Sequence, residues 1–255
     1  MTVRRWRRAA AALLGVLALG ALAGFGGCGG GGDDWDDDAI IAYVGDVEIT
    51  EAEVDAVAED LRAEIGAEIE SELDRRAAEG ELTDEELAEY EDERYSQLRD
   101  QVAVTRTRVI EMRILTTAAT SYAQDEGIAV PDPPIEMQAD ELGLSPESAY
   151  VQVVAGFFAV MSQLQAVAAP EPPTEQDQRE VHTHMVEDGM TTTTFEEAQE
   201  VLNEEVLGEA VGMRNLLADI LERADVRVNP EYDLVYRVPV RLGELGETWL
   251  GLPLG

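Results

Sequence analysis

The chain contains no lysine: all 18 of its basic residues are arginine. That removes Schiff-base and lysine-nucleophile chemistry. It contains one cysteine, Cys28, so no disulfide can form within the chain. No Gly-x-Ser-x-Gly, P-loop, Cys-x-x-Cys or His-Glu-x-x-His pattern occurs, and each of those chemistries needs its pattern as scaffold. The two histidines, His182 and His184, are two residues apart. On a helix they point to different sides, which is poor geometry for a shared metal, and solvated surface positions are expected for both. Carboxylates are so frequent that no acid–base pair stands out. The sequence therefore offers no catalytic residue, no metal site, no cofactor and no small-molecule substrate. The expectation is a protein that is not an enzyme.

Positive charge is also scarce. Acidic residues number 54, giving a formal charge of −36. Nucleic acid and anionic headgroups are poor partners for such a chain. Self-repulsion penalises a compact state at low salt, so the composition reads as halophilic adaptation, a surface suited to short-range screening. Disorder is a weak alternative, because 45% of the residues are apolar and they recur at helical spacing.

Some of the basic residues are concentrated at the start. Arg4-Arg5-Trp6-Arg7-Arg8 precedes Ala9–Phe25, an apolar run without charge. This is the layout of a secretory signal, and the run is near the lower length limit for a retained membrane span. Phe25-Gly26-Gly27-Cys28 closes it. That end resembles the lipobox of bacterial lipoproteins, where cleavage falls just before a diacylglyceryl-modified cysteine, with Phe25 standing where leucine is usual. The resemblance implies a signal peptide over 1–27, lipidation of Cys28, and residence on the extracytoplasmic face of the cell membrane. Cleavage there removes four arginines and no acid, taking the formal charge from −36 to −40. The paired arginines leave the general secretory and twin-arginine routes both open. Residues 28–38, four glycines and then aspartates around Trp35, read as a tether in which glycine gives freedom and like charges extend the chain.

Beyond residue 38 the pattern is mostly helical. Ala39–Val44 and Val47–Ile49 read as short strands around a Gly45-Asp46 turn. Thr50 with Glu53 forms a capping-box signal, and Gly80 ends the helix that follows. Thr83 with Glu86 repeats the signal for a second long helix to Glu126, for which a break near Val104–Thr107 is expected. Tyr150–Ala169 carries no charge. Its glutamines, and acidic rather than basic flanks, favour a helix buried in the fold or lining a groove over a second membrane span. Thr174–Val186 reads as a polar helix, Thr191–Thr194 as a loop and cap, and Phe195–Ala224 as a third long helix. Val226–Val228 and Leu234–Val240 read as strands, and Leu242–Gly255 as irregular.

Three local patterns resemble one family. Val44-Gly45-Asp46-Val47-Glu48-Ile49-Thr50 looks like the V-N-G-x-x-I-T opening of the SurA amino-terminal domain. Val109-Ile110-Glu111 through Gly127-Ile128-Ala129-Val130 looks like that family's helix end. Ala224-Asp225-Val226-Arg227-Val228-Asn229-Pro230-Glu231-Tyr232 looks like its closing A-D-V-x-V-N-P-R-Y-G, with Glu231 and Asp233 in place of the usual Arg and Gly. The resemblance covers most of 39–238. It implies a mainly α domain over 39–255, elongated and chaperone-like, with a small sheet joining the amino- and carboxyl-terminal segments. His182-Thr183-His184-Met185-Val186 and Phe195-Glu196-Glu197-Ala198 are faintly similar to pieces of a parvulin domain. The chain between Phe195 and the closing motif is too short to hold one, so prolyl isomerase activity is not expected.

What the resemblance implies functionally is a lipid-anchored, ATP-independent holdase whose partners are unfolded exported polypeptides. The second reading is a structural or adaptor lipoprotein with one fixed envelope partner. Phe157, Phe158, Met161 and Leu164 are the candidate client-binding residues, since methionine and aromatic side chains adapt to varied partners. Ordinary core packing is the alternative for all four.

Overall fold

The computed structural model describes residues 39–255 apart from 81, 244 and 245. The signal peptide, Cys28 and the tether lie outside the described residues. Strands β1 (Ile40–Val44) and β2 (Val47–Thr50) pair antiparallel. The two-residue turn between them is possible because Gly45 adopts a positive φ of 58°. Thr50 then caps helix α1 (Glu51–Glu79): its hydroxyl accepts from the Glu53 N–H, and Glu53 accepts from the Thr50 N–H. Gly80, left-handed at φ 66°, ends α1. Thr83 and Glu86 repeat the reciprocal cap at the start of α2 (Asp84–Asp125).

The two helices form an antiparallel arm, with α1 about 44 Å long at 1.5 Å per residue. A small apolar seam of Ala58, Ile69, Leu98 and Val102 holds it. Glu72 adds a polar tie, accepting from the Tyr90 hydroxyl and pairing with Arg76 and Arg94. The later part of α2 enters the main core through Val109, Ile110, Ile114, Leu115 and Ala119. Around it lie α3 (Ile135–Leu142), α4 (Ala149–Val167), α5 (Glu175–Glu187), α6 (Phe195–Gln199) and α7 (Glu204–Arg223). Strand β3 (Val226–Val228) returns to pair antiparallel with β1, giving the order β2-β1-β3. Strands β4 (Val235–Arg241) and β5 (Glu247–Pro253) make a separate antiparallel hairpin.

The chain is thus mainly α with small antiparallel sheets, and the β1–β3 pairing joins its amino- and carboxyl-terminal segments. Three local expectations are corrected. Helix α2 does not break at 104–107. Arg106 reaches across to Glu51 and Asp55 of α1 and anchors that turn, outweighing the weak helix preference of its β-branched neighbours. The expected helix over 195–224 is two, because α6 stops at Gln199 and the Asn203 side chain accepts from the Glu205 N–H to open α7. The carboxyl-terminal segment is not irregular: Thr248, Leu250 and Leu252 are buried at a spacing of two and make β5 a regular strand.

Between α4 and α5 the chain crosses α7 at close range. The Glu171 N–H donates to the Gly208 carbonyl at 3.0 Å. The Ala169 carbonyl lies over Gly212, where any side chain would collide with it. The α5 cap that follows is shared with α7. Thr174 and Asp177 cap reciprocally, and the Asp177 carboxylate also pairs with Arg214.

Candidate functional site

Helix α4 is the most apolar helix of the fold. Among the described residues it alone is long and apolar enough to cross a membrane, at 19 residues and mean hydropathy 1.4. Carboxylates of α1 fix its start. Asp60 accepts from the Ala149 N–H at 2.8 Å and from the Ser148 hydroxyl, and Glu64 accepts from the Ser145 N–H. Negative charge at a helix N-terminus is favourable, so this contact both orients α4 and offsets two acids. The glycine crossing on α7 holds the chain beyond its other end.

One stripe of α4, Val151, Ala155, Ala159 and Leu164, is fully buried. Tyr150, Val154, Phe157 and Met161 recur at three- and four-residue spacing on another stripe and are only half-buried. Phe158 stands beside them with 47% of its surface exposed. The ring of Phe157 meets Tyr236 of β4 edge-on, with centroids 5.9 Å apart at 67°. Helix α3, packed alongside α4, exposes Met137 and Leu142 as well.

A polar group borders this stripe. Glu111 of α2 is buried, and burial raises its carboxyl above the usual range against the pull of Arg108 and Arg237. Burial likewise raises the phenols of Tyr150 and Tyr236, with Arg108 opposing in both and Glu111 adding to the rise at Tyr236. Both phenols therefore stay protonated at neutral pH and act as donors. The arrangement provides an aromatic and aliphatic surface edged by hydroxyls and guanidinium groups. Such a surface suits contact with apolar side chains and backbone carbonyls.

Because the Glu111 pKa is raised on folding, its contribution favours the fold at low pH and is lost as pH climbs from the unfolded carboxyl value through the folded one. Glu111→Gln is accordingly expected to raise the melting temperature at pH 7 and to lose that gain below about pH 4. Thermal melts followed by circular dichroism across that interval check both the sign and the window.

Of the four residues singled out in the sequence, Phe157, Phe158 and Met161 fall on this half-open surface. Leu164 does not: it is fully buried and belongs to the core. Tyr150 carried a sequence signal, since it precedes Phe157 by two helical turns. Tyr236 and Glu111 did not, because only the tertiary fold brings them to α4. The histidines are half-buried and partnered rather than fully solvated. His182 bonds the Thr193 carbonyl and meets Phe195 edge-on, while His184 stacks on Trp249 with centroids 3.5 Å apart. They lie on different sides of α5, and among the described residues no group of three or more His, Cys, Asp or Glu side chains is placed to hold a metal.

The fold and this surface define a helical protein with a long two-helix arm and a partly uncovered apolar helix. No family model, no curated protein and no solved structure matches the chain.

Proposed function

We propose that the chain is a lipoprotein held by Cys28 at the extracytoplasmic face of the membrane, where it binds unfolded exported polypeptides without ATP and without catalysis. The observation that carries the reading is α4, a charge-free helix whose Tyr150–Met161 stripe is only half-buried and whose Phe158 is exposed. A large side chain left at a surface beside methionine and other aromatics is a platform for apolar segments of changing sequence. The β1–β3 closure agrees with the resemblance to SurA-type chaperones. The protonated Tyr150 and Tyr236 hydroxyls supply donors for a client's backbone carbonyls. Those same hydroxyls favour the second reading, an adaptor for one partner, because polar groups that need partners discriminate between surfaces.

Aggregation assays separate the two. The chain from Gly29 onward, with folding verified by circular dichroism, is expected to protect several unrelated unfolded proteins at up to equimolar ratio. Phe158→Ser should remove most of that protection while moving stability by no more than about 0.5 kcal/mol, as for other exposed positions. Val201→Ser, at a site 63% exposed in the turn between α6 and α7, should change neither. Protection of no client by a folded chain sinks the holdase reading and leaves the adaptor.

A further inference from the structure

Four arginines of the α1–α2 arm have carboxylate partners: Arg75 with Glu79, Arg76 and Arg94 with Glu72, and Arg106 with Glu51 and Asp55. Arg62 of α1 and Arg99 of α2, both exposed, have none among the described residues. Both line one hollow of about 320 Å³ between the two helices. The Arg106–Asp55 and Arg94–Glu72 ties hold the two helices together on either side of that hollow. Two guanidinium groups lining one hollow repel, and the arm is rich in acids that could have neutralised them. Instead neither guanidinium is ion-paired among the described residues.

The rest of the lining narrows the ligand. Ala63 and Gly66 form a shallow floor, and a Cβ on Gly66 would meet nothing within 4 Å, so an incoming group finds open space there. Tyr95 adds an aromatic wall. Glu70 lines the hollow as well, one helical turn beyond Gly66. A paired set of guanidiniums binds a carboxylate with geometric specificity, while Glu70 accepts N–H donors and repels a second negative charge. A polyanion is thereby disfavoured, as it is by the net charge of the chain. The volume lies at the small end of ligand sites and suits a residue or two rather than a folded surface.

We propose that this hollow captures the terminal carboxylate of a polypeptide whose last side chain is apolar. The carboxylate sits between Arg62 and Arg99, the side chain lies on Ala63 and Gly66 against Tyr95, and Glu70 accepts the N–H of a preceding residue. The site uses no residue of α4 and stands whether or not that helix holds clients.

The test is fluorescence anisotropy with the full chain in non-ionic detergent and a short peptide ending in leucine, labelled at its amino end. The free-acid peptide should bind saturably. Its carboxyl-terminal amide, and the free acid with an added terminal aspartate, should each bind at least about tenfold more weakly, the scale of a lost charge-assisted bond. Arg62→Gln and Arg99→Gln should weaken the free acid to the same degree, with melting temperatures unchanged because both side chains are exposed. Gly66→Phe, which fills the floor, should also weaken it. Equal binding of acid and amide, wild-type affinity in both arginine variants, or no binding of any peptide each overturns the proposal.

Discussion

Gly212→Ala is expected to destabilise the protein by about 3 kcal/mol or more, the upper range for forcing atoms into a packed contact. A Cβ at this position would lie 2.9 Å from the Ala169 carbonyl carbon and closer still to its oxygen. Both are backbone atoms and cannot rotate away. The segment they belong to is bound to α7 by the Glu171–Gly208 hydrogen bond, and Pro170, Pro172 and Pro173 stiffen it. Relief would require α4 and α7 to separate, opening core contacts around Leu164 and Val211. For a domain of this size the loss corresponds to a melting temperature lower by roughly 6–12 °C. Gly156→Ala is the matched control. Gly156 is also helical, but a Cβ there meets nothing within 4 Å, so alanine should be neutral or stabilise by up to about 1 kcal/mol through helix propensity. Denaturation by heat and by urea of the two variants tests the crossing directly: similar stability for both would remove the close-packed contact from the account.

The second large effect is expected at Asp177. It is 3% exposed and holds three groups at once: the Thr174 N–H, the Thr174 hydroxyl and the Arg214 guanidinium. Burial pushes its carboxyl up, but Arg214 and the Thr174 donors outweigh burial and leave it below the usual value. Asp177→Ala leaves Arg214, whose side chain is 18% exposed, with the Asn215 amide oxygen as acceptor but without a charge partner. Removing one member of a buried pair costs about 3–5 kcal/mol. Removing Arg214 as well should restore part of the loss, and a double-mutant cycle measures how much. The sign with pH follows from the lowered value. The stabilisation is complete above the unfolded carboxyl pKa near 3.9 and fades as pH falls through the lower folded value. The variant should therefore differ from wild type most at neutral pH and least in strong acid. A variant whose deficit persists undiminished at low pH would show that the carboxylate charge is not the source.

These two sites also mark what the sequence reveals and what it hides. Capping boxes are local, so Thr50 with Glu53 and Thr83 with Glu86 announce α1 and α2 before any packing is known. Gly80 marks the end of α1 for the same reason. The short strand Val226–Val228 is legible in the sequence, and the resemblance to the SurA amino-terminal domain implies a sheet between the amino-terminal hairpin and a carboxyl-terminal strand without saying which strands meet. The continuity of α2 is not legible, because it depends on Arg106 reaching acids some fifty residues earlier. Strand β5 is not legible in the sequence, because Gly246, Gly251 and Pro253 obscure its alternation until β4 is set beside it. On α4 the composition identified an apolar helix, but composition cannot say which stripe meets α2. Leu164 and Phe158 are equally apolar in sequence, and only the packing separates a core residue from a surface one. The arm hollow was invisible for a different reason: an unpaired arginine is recognised only when the partners of all the others are known.

The central claim is that the open stripe of α4 is where unfolded chains are held, and site-specific photo-crosslinking addresses it most directly. A photoreactive residue at 158, mixed with several unrelated unfolded proteins, should crosslink to each of them, and folded forms of the same proteins should compete poorly. The same residue at position 201 should give little product despite its greater exposure. Capture of unfolded chains at 201 as readily as at 158, or at neither position while the chain still suppresses aggregation, would contradict the account and move client binding away from α4.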